Sequence, residues 1–370
     1  MEKQKKEISI FKERLKLKTD YRGGKSKKEV GASDQKVYKL SSNENLLGSS
    51  PKALKVIKEG IDSLNEYSDY TDERLREALS RHYKDAMKPE QFFTGNGGVE
   101  IIEMIIRGFV SEGHEVIISN PCFGPYSMFA LKAGAKVHDV RLSDEHYELD
   151  IKGIHKKIND KTRVLFLTSP NNPTGTIITK NEMETLMAGI PDHVVVVLDE
   201  VYFHFTDASD YFIAADYVKA GKRVIGVNSF SKAYGLAGLR LGYAYATPEL
   251  SNYLRNLSRP FMMNSLSMEA AIAALGDDAH IKRTVNLIQT EKPYLYKNLD
   301  RIGLKYWKTQ ANFILTKPPM DDALFVGKML ENGVMVRPVA NFGASGCVRV
   351  TIGTHKANEA LIKALEIVLS

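Results

Sequence analysis

Val224-Ile225-Gly226-Val227-Asn228-Ser229-Phe230-Ser231-Lys232-Ala233-Tyr234-Gly235-Leu236-Ala237-Gly238-Leu239-Arg240-Leu241-Gly242-Tyr243 begins as a β-like apolar run and opens into a glycine-rich loop. Lys232 falls where the run gives way to the loop. An ammonium at such a place is costly to desolvate unless it is paired or neutralised. Burial and cationic neighbours push a lysine down from its ordinary pKa of about 10.4 and leave a neutral amine able to attack a carbonyl. Ser229 and Ser231 flank the lysine, and Arg240 follows in the same loop. Hydroxyls and a planar guanidinium fork are what a phosphate requires. An amine beside a phosphate cradle points to an aldehyde that carries a phosphate, pyridoxal 5′-phosphate. Two plainer readings compete: a solvated lysine in a surface loop, and an ordinary nucleotide loop. The chain has no G-x-x-x-x-G-K-[ST], and no G-x-G-x-x-G opens a helix after a strand.

Outward from this stretch the chain alternates short strands with helices. Strands are expected at Phe92–Thr94, Glu115–Ile118, Lys136–Val140, Arg163–Thr168 and Val194–Leu198, the last β-branched enough to be buried on both faces. Helices are expected over Pro51–Leu64, Thr71–Tyr83, Val99–Val110, Tyr126–Ala133 and Asn181–Ala188. Alternation of this kind means βαβ units and a mostly parallel sheet, an α/β fold. After Pro248 the periods lengthen, with helices over Pro248–Leu257, Ser265–Leu275 and His280–Asp300. A β-rich piece then offers Phe313–Leu315, Val334–Arg337 and Cys347–Ile352, closed by a helix over Ala357–Val368. This reads as a second, smaller α+β domain that also recruits the N-terminal segment.

The carboxyl ends of parallel strands face the ligand crevice, and several chemistry-bearing residues fall there. Asn172, in Ser169-Pro170-Asn171-Asn172-Pro173-Thr174-Gly175, is placed to donate an amide hydrogen bond to a ring oxygen, although N-P-T-G alone is a turn signal. Asp199 follows five apolar residues and is either a helix N-cap or an anion at the crevice. Pyridoxal chemistry needs that anion to hold the pyridine nitrogen protonated. Tyr202 would point the same way, to the ring hydroxyl. Gly97-Gly98-Val99 opens a helix whose free N–H groups bind phosphate without side chains. Phe123 either stacks on a planar ring or packs in the core, and Cys122 has no partner to activate it. Arg349, inside Val348-Arg349-Val350, is expensive to bury without an anion; a substrate anion or a structural salt bridge would satisfy it, and Arg337 is a second candidate.

With 370 residues, 43% hydrophobic and 26% charged, the composition is that of an ordinary globular chain. Much of the net charge of +6 lies in the first 28 residues, a basic arm that reads as solvated or as a short amphipathic helix. No nucleic-acid signature accompanies it, and a site for anionic substrates would also explain a basic excess. Two distant cysteines without metal-ligand spacing indicate a reducing compartment, no disulfide framework and no metal site. No h-region or uninterrupted apolar span appears, so the expectation is a cytoplasmic protein without membrane or nucleic-acid partners.

Taken together, S-F-S-K-A-Y-G-L-A-G-L-R-L-G-Y, S-P-N-N-P-T-G, L-D-E-V-Y, L-S-S-N-E-N and T-G-N-G-G-V-E resemble the class I/II pyridoxal-phosphate-dependent aminotransferases. The resemblance runs from about Tyr38 to the C-terminus, and within the class it is greatest to histidinol-phosphate aminotransferases. It implies fold type I: a large PLP-binding domain (46–270) around a mainly parallel seven-stranded sheet, and a small domain from 1–45 and 271–370. It also implies a homodimer with shared active sites. Lys232 would condense with the cofactor aldehyde, Asp199 meet the pyridine nitrogen, and Asn172 and Tyr202 the ring oxygen. Ser229, Ser231, Arg240 and the amides of Gly98 and Val99 would hold the cofactor phosphate, with Tyr67 lent by the other subunit. Arg349, Arg337 and Asn45 are the expected substrate-binding residues.

The chain departs from the usual pattern in four places. Leu46 follows Asn43-Glu44-Asn45 where proline is usual, Gly98-Val99 replaces Ser-Asp, Phe123 replaces a tyrosine, and Ser68 stands where proline is common. The implied reaction is transfer of an amino group from histidinol phosphate to 2-oxoglutarate, in histidine biosynthesis. An aromatic amino-acid aminotransferase or a threonine-phosphate decarboxylase-like enzyme would use the same framework. From a different class, a cofactor-binding module of a regulator would also share it.

Overall fold

A computed structural model describes residues 12–18, 23–31, 37–84 and 86–370. Thirteen strands are found among these. β1 (Tyr38–Lys39) precedes a seven-stranded sheet made from β2 (Phe92–Gly95), β3 (Glu115–Ile118), β4 (Lys136–Asp139), β5 (Thr162–Thr168), β6 (Val195–Asp199), β7 (Val224–Ser229) and β8 (Gly242–Tyr245). β9 (Lys305–Trp307), β10 (Phe313–Lys317), β11 (Val334–Met335), β12 (Arg337–Pro338) and β13 (Val348–Thr351) complete the set.

The large sheet runs β2-β8-β7-β6-β5-β3-β4, and β8 alone is antiparallel to its neighbours. Its central strand shows why the fold forms. Val195-Val196-Val197-Leu198-Asp199 is buried throughout, because both faces of the sheet are covered. The pleat divides the side chains. Val196 and Leu198 join Leu165, Leu167 and Ile117 on one face, under the helices Pro51–Gly60, Lys180–Ala188, Ala214–Lys219 and Ser265–Leu275. Val195 and Val197 join Val164, Phe166, Val116 and Ile118 on the other, under Gly98–Phe109, Pro125–Lys132 and Pro248–Arg255. Each aliphatic side chain buried in this way contributes roughly 1.5–3 kcal/mol.

A four-stranded antiparallel sheet, β12-β13-β10-β9, carries the C-terminal part, and β1 pairs in parallel with β11 beside it. The segment before the large sheet is thereby tied to residues near 335. Leu40 enters the same apolar cluster as Phe313, Val348 and Leu361, and Tyr202, Phe205 and Ala233 reach into that cluster from the large sheet's side. The seam between the two assemblies is therefore packed, and the cleft lies along it.

Three expectations need correction. Val334–Arg337 is not one strand: β11 pairs with β1 and β12 pairs with β13, with Val336 at the change of sheet. The helix expected over Pro51–Leu64 ends at Gly60 and continues only as a 3-10 turn, Ile61–Ser63. Strands β8 and β9 and the helices Ile151–Lys157, Ala214–Lys219 and Asp322–Glu331 were not anticipated. Of the basic arm, Glu13–Lys16 forms one 3-10 turn, with Arg14 2.7 Å from Glu112; residues 1–11 and 19–22 lie outside the described residues. No helix among the described residues is long and apolar enough to cross a membrane, and no cluster of metal-ligating side chains appears among them.

Candidate active site

A cleft of about 400 Å³ opens where the carboxyl ends of β5, β6 and β7 meet the N-terminal segment and the small sheet. Gly98, Val99, Phe123, Asn172, Asp199, Tyr202, Ser229, Ser231, Lys232, Arg240, Arg337 and Arg349 all line it. Residues spread over 250 positions of sequence thus converge for the reason the topology gives: parallel strands end at one edge.

Lys232 lies three residues after Ser229, in the loop that leaves the end of β7. Its Nζ donates to the carbonyl of Ser42 at 3.2 Å and sits 5.6 Å from the centre of the Tyr202 ring. Burial pushes its pKa down to about 7; Arg349 and Arg240 push the same way, against Glu44 and Asp199. About half of the amine is therefore neutral near pH 7, a far larger share than in an ordinary lysine. Gly235, three residues on, has φ +71, and a Cβ there would lie 2.2 Å from the Gly48 carbonyl oxygen. Only glycine lets the lysine loop close against the N-terminal segment.

Asp199, 5% exposed, is the last residue of β6. Its Oδ2 accepts from the Tyr126 hydroxyl at 2.7 Å, and its Oδ1 from the Val201 amide at 3.2 Å. Burial raises its pKa to about 6, which those two donors and Lys232 oppose. A carboxylate held in this way is ready for a cationic partner. Tyr126 also bonds Thr168 Oγ1 at 2.9 Å and stacks on Phe166. Sequence reasoning took Tyr126 only as a helix residue. The available signal was a phenol in the first turn of a helix that starts at the sheet's carboxyl edge.

At the other end of the cleft the helix Gly98–Phe109 begins with Gly97 at φ +81. A Cβ on Gly97 would stand 2.4 Å from Arg240 Nη2, so the guanidinium lies against bare backbone. Arg240 is itself left-handed, at φ 52, and donates to the Ala237 carbonyl at 2.9 Å. Ser229 Oγ accepts from the Ser231 amide at 3.0 Å. First-turn amides, two hydroxyls and a guanidinium form a donor set suited to a phosphate.

Arg349 is 5% exposed. It donates through Nη1 to Asn172 Oδ1 and through Nη2 to the Ser41 carbonyl at 3.1 Å, lying near the rings of Phe313 and Phe342. With Oδ1 taken by the arginine, the Asn172 amide nitrogen is left to donate elsewhere. Arg337 pairs in register with Arg349 across β12 and β13 and donates to the Gly23 carbonyl at 2.8 Å. Phe123 serves both of its expected roles, lining the cleft while packing near Tyr126 and Phe342. Cys122 is buried, which raises its thiol pKa.

Asn45 is not brought to the cleft, and Tyr67, expected from the other subunit, lies on the surface. Asn45 turns beneath the lysine loop, donating to the Ala233 carbonyl and Thr284 Oγ1, both at 3.0 Å, while Asn43 lines the cleft instead. Tyr67 is 88% exposed and packs against Phe261, 5.0 Å between ring centres.

The fold is an α/β assembly whose cleft gathers a buried lysine, a buried carboxylate, Ser229, Ser231 and three arginines. The chain belongs to the aminotransferase class I and II family, whose profile matches residues 35–365. It is 38% identical over 344 residues to histidinol-phosphate aminotransferase of Moorella thermoacetica, covering 93% of this chain and 88% of that one. It is 37% identical over 343 residues to histidinol-phosphate aminotransferase 2 of Carboxydothermus hydrogenoformans, covering 92% and 93%. The fold matches the crystal structure of histidinol-phosphate aminotransferase from Sinorhizobium meliloti in complex with pyridoxal-5′-phosphate. That likeness has TM-score 0.84 and 23% identity, covering 98% of each chain. The protein is a fold type I, pyridoxal-phosphate-dependent aminotransferase.

Proposed function

We propose that this enzyme transfers the amino group of histidinol phosphate to 2-oxoglutarate, giving imidazole-acetol phosphate and glutamate in histidine biosynthesis. The relatives at 37% and 38% identity carry that name. The observation that carries the substrate class is the pair of arginines in register, Arg337 and Arg349, both lining the cleft. A phosphate approaching two charges rewards two guanidinium groups, whereas a carboxylate is satisfied by one.

The donor set fits pyridoxal phosphate. Ser229, Ser231, Arg240 and the amides of Gly98 and Val99 would hold its phosphate, Asp199 its ring nitrogen, and Asn172 and Tyr202 its ring oxygen. Phe123 would cover one face. When bound, the cofactor supplies an electrophilic aldehyde and a ring that accepts electrons from the substrate carbon. Lys232 would supply the amine that holds the cofactor, and its Nζ would be the base that carries a proton between the substrate carbon and the cofactor. Asp199, ionised, would keep the ring nitrogen protonated. Arg349 and Arg337 would orient the substrate by its anion, with the Phe342 ring beside both guanidinium groups.

We further propose a homodimer in which Tyr67 crosses to the partner's cofactor phosphate. Its exposure, in an aromatic cluster with the exposed Phe261 and Tyr70, supports this, because such an apolar patch marks an interface. Residues 46–270 would form the cofactor domain, and 1–45 with 271–370 the small one. Two buried, unpaired cysteines suit a reducing cytoplasm. The test is half-reaction spectroscopy of the cofactor-loaded enzyme with histidinol phosphate, phenylalanine, threonine phosphate and glutamate. Histidinol phosphate and glutamate should each discharge the visible band of the lysine-bound cofactor. Faster discharge by phenylalanine, or release of carbon dioxide from threonine phosphate, would reassign the substrate.

A further inference from the structure

Asn43 is 1% exposed and has φ +55, a left-handed conformation that a buried non-glycine residue adopts at a cost. Its backbone N–H donates to Thr351 Oγ1 at 2.9 Å, and Thr351 Oγ1 returns its own proton to Asn43 Oδ1 at 3.3 Å. That exchange fixes which end of the amide is which: the carbonyl faces Thr351, so the NH2 faces the other way. Nδ2 donates to the Tyr202 hydroxyl oxygen at 3.0 Å. A phenol oxygen that accepts from Asn43 directs its own proton to a different acceptor. Asn312 Nδ2 holds the Asn43 carbonyl at 3.2 Å, so the strained residue is clamped on three sides.

Thr351 shares β13 with Arg349, two residues away and hence on the same side of the strand. One buried asparagine thus links the strand bearing the substrate arginine to the tyrosine beside Lys232. We propose that Asn43 is a positioning residue: it fixes the Tyr202 hydroxyl as a donor toward the cofactor ring oxygen and ties that hydroxyl to the substrate-anion strand. This rests on the cofactor geometry proposed above. Donation to the ionised ring oxygen favours the ionised form and lowers the midpoint at which the lysine-bound cofactor loses its proton.

The experiment is a spectroscopic pH titration of cofactor-loaded wild type, Asn43→Gly, Tyr202→Phe and the double variant, with thermal melting in parallel. Asn43→Gly keeps the left-handed backbone and its hydrogen bonds while removing the amide. It should raise the titration midpoint by about half a unit or more, in the direction of Tyr202→Phe, and the double variant should add nothing to Tyr202→Phe. Thr351→Val, which releases the amide to turn over, should raise the midpoint by a smaller amount. It serves the same purpose should Asn43→Gly fold poorly. A wild-type midpoint in both Asn43→Gly and Thr351→Val, or a shift that adds in full to that of Tyr202→Phe, overturns the proposal. A wild type that shows no titrating cofactor band would instead sink the functional reading itself.

Discussion

Whether Lys232 carries a proton decides what it can do, and its surroundings answer in one direction. Burial and two nearby guanidinium groups bring its pKa down to about 7, so the rate at which the cofactor-free protein captures pyridoxal phosphate should rise with pH and level off above about 7. Stopped-flow absorbance would measure this; a midpoint near the ordinary lysine value of about 10.4 would mean a solvated amine. Asp199 gives the opposite sign. With its pKa raised to about 6, it binds protons more readily folded than unfolded between roughly pH 4 and 6, and so takes stability from the cofactor-free protein as pH rises through that window. Asp199→Asn should therefore melt above wild type at pH 8 but not at pH 4, while kcat falls by about 10²-fold or more. A variant less stable than wild type at pH 8 would show that the carboxylate is not under that strain. Lys232 and Asp199 were legible because each follows a run of apolar residues. Asn43 and Asn45 were not: which of them faces the cleft turns on the left-handed backbone at Asn43 and on contacts with Ala233 and Thr284, more than 180 positions away.

The elements that would make the proposed phosphate cradle are two turns and a helix end, and their requirement is for bare backbone. Gly97→Ala would put a methyl group 2.4 Å from Arg240 Nη2 at φ +81, so the guanidinium or the turn must yield. Fluorescence titration should show cofactor affinity weakened by about 10-fold or more, the equivalent of roughly 1.4 kcal/mol. Unchanged affinity would place the phosphate elsewhere. The glycine pair was readable as a helix opening, whereas its contact with Arg240 joins residues 143 positions apart and left no local mark. The central strands were legible for a similar local reason, since β5, β6 and β7 each carry an apolar run of four residues that ends in polar ones. β8 was not, because Gly242-Tyr243-Ala244-Tyr245 hides in the glycine-rich stretch and pairs antiparallel. Nor was the break at Val336, which only the competing partners β1 and β13 create.

At the scale of the whole molecule, Tyr67 lies on an exposed aromatic surface with Tyr70 and Phe261, outside its own subunit's cleft. If the partner supplies it, Tyr67→Ala and Lys232→Ala should each be weakly active or inactive alone. Mixed and reassembled, they should recover up to about a quarter of wild-type activity, because about half of randomly paired dimers hold one intact site of two. No recovery, in mixtures proved by mass to contain hybrid dimers, would place Tyr67 in its own subunit's chemistry or in none. Everything else depends on the amine at the end of β7. The most direct measurement is borohydride reduction of the cofactor-loaded enzyme followed by peptide mass mapping: the pyridoxyl group should be found on Lys232, and a label on another lysine, or none, would contradict the account.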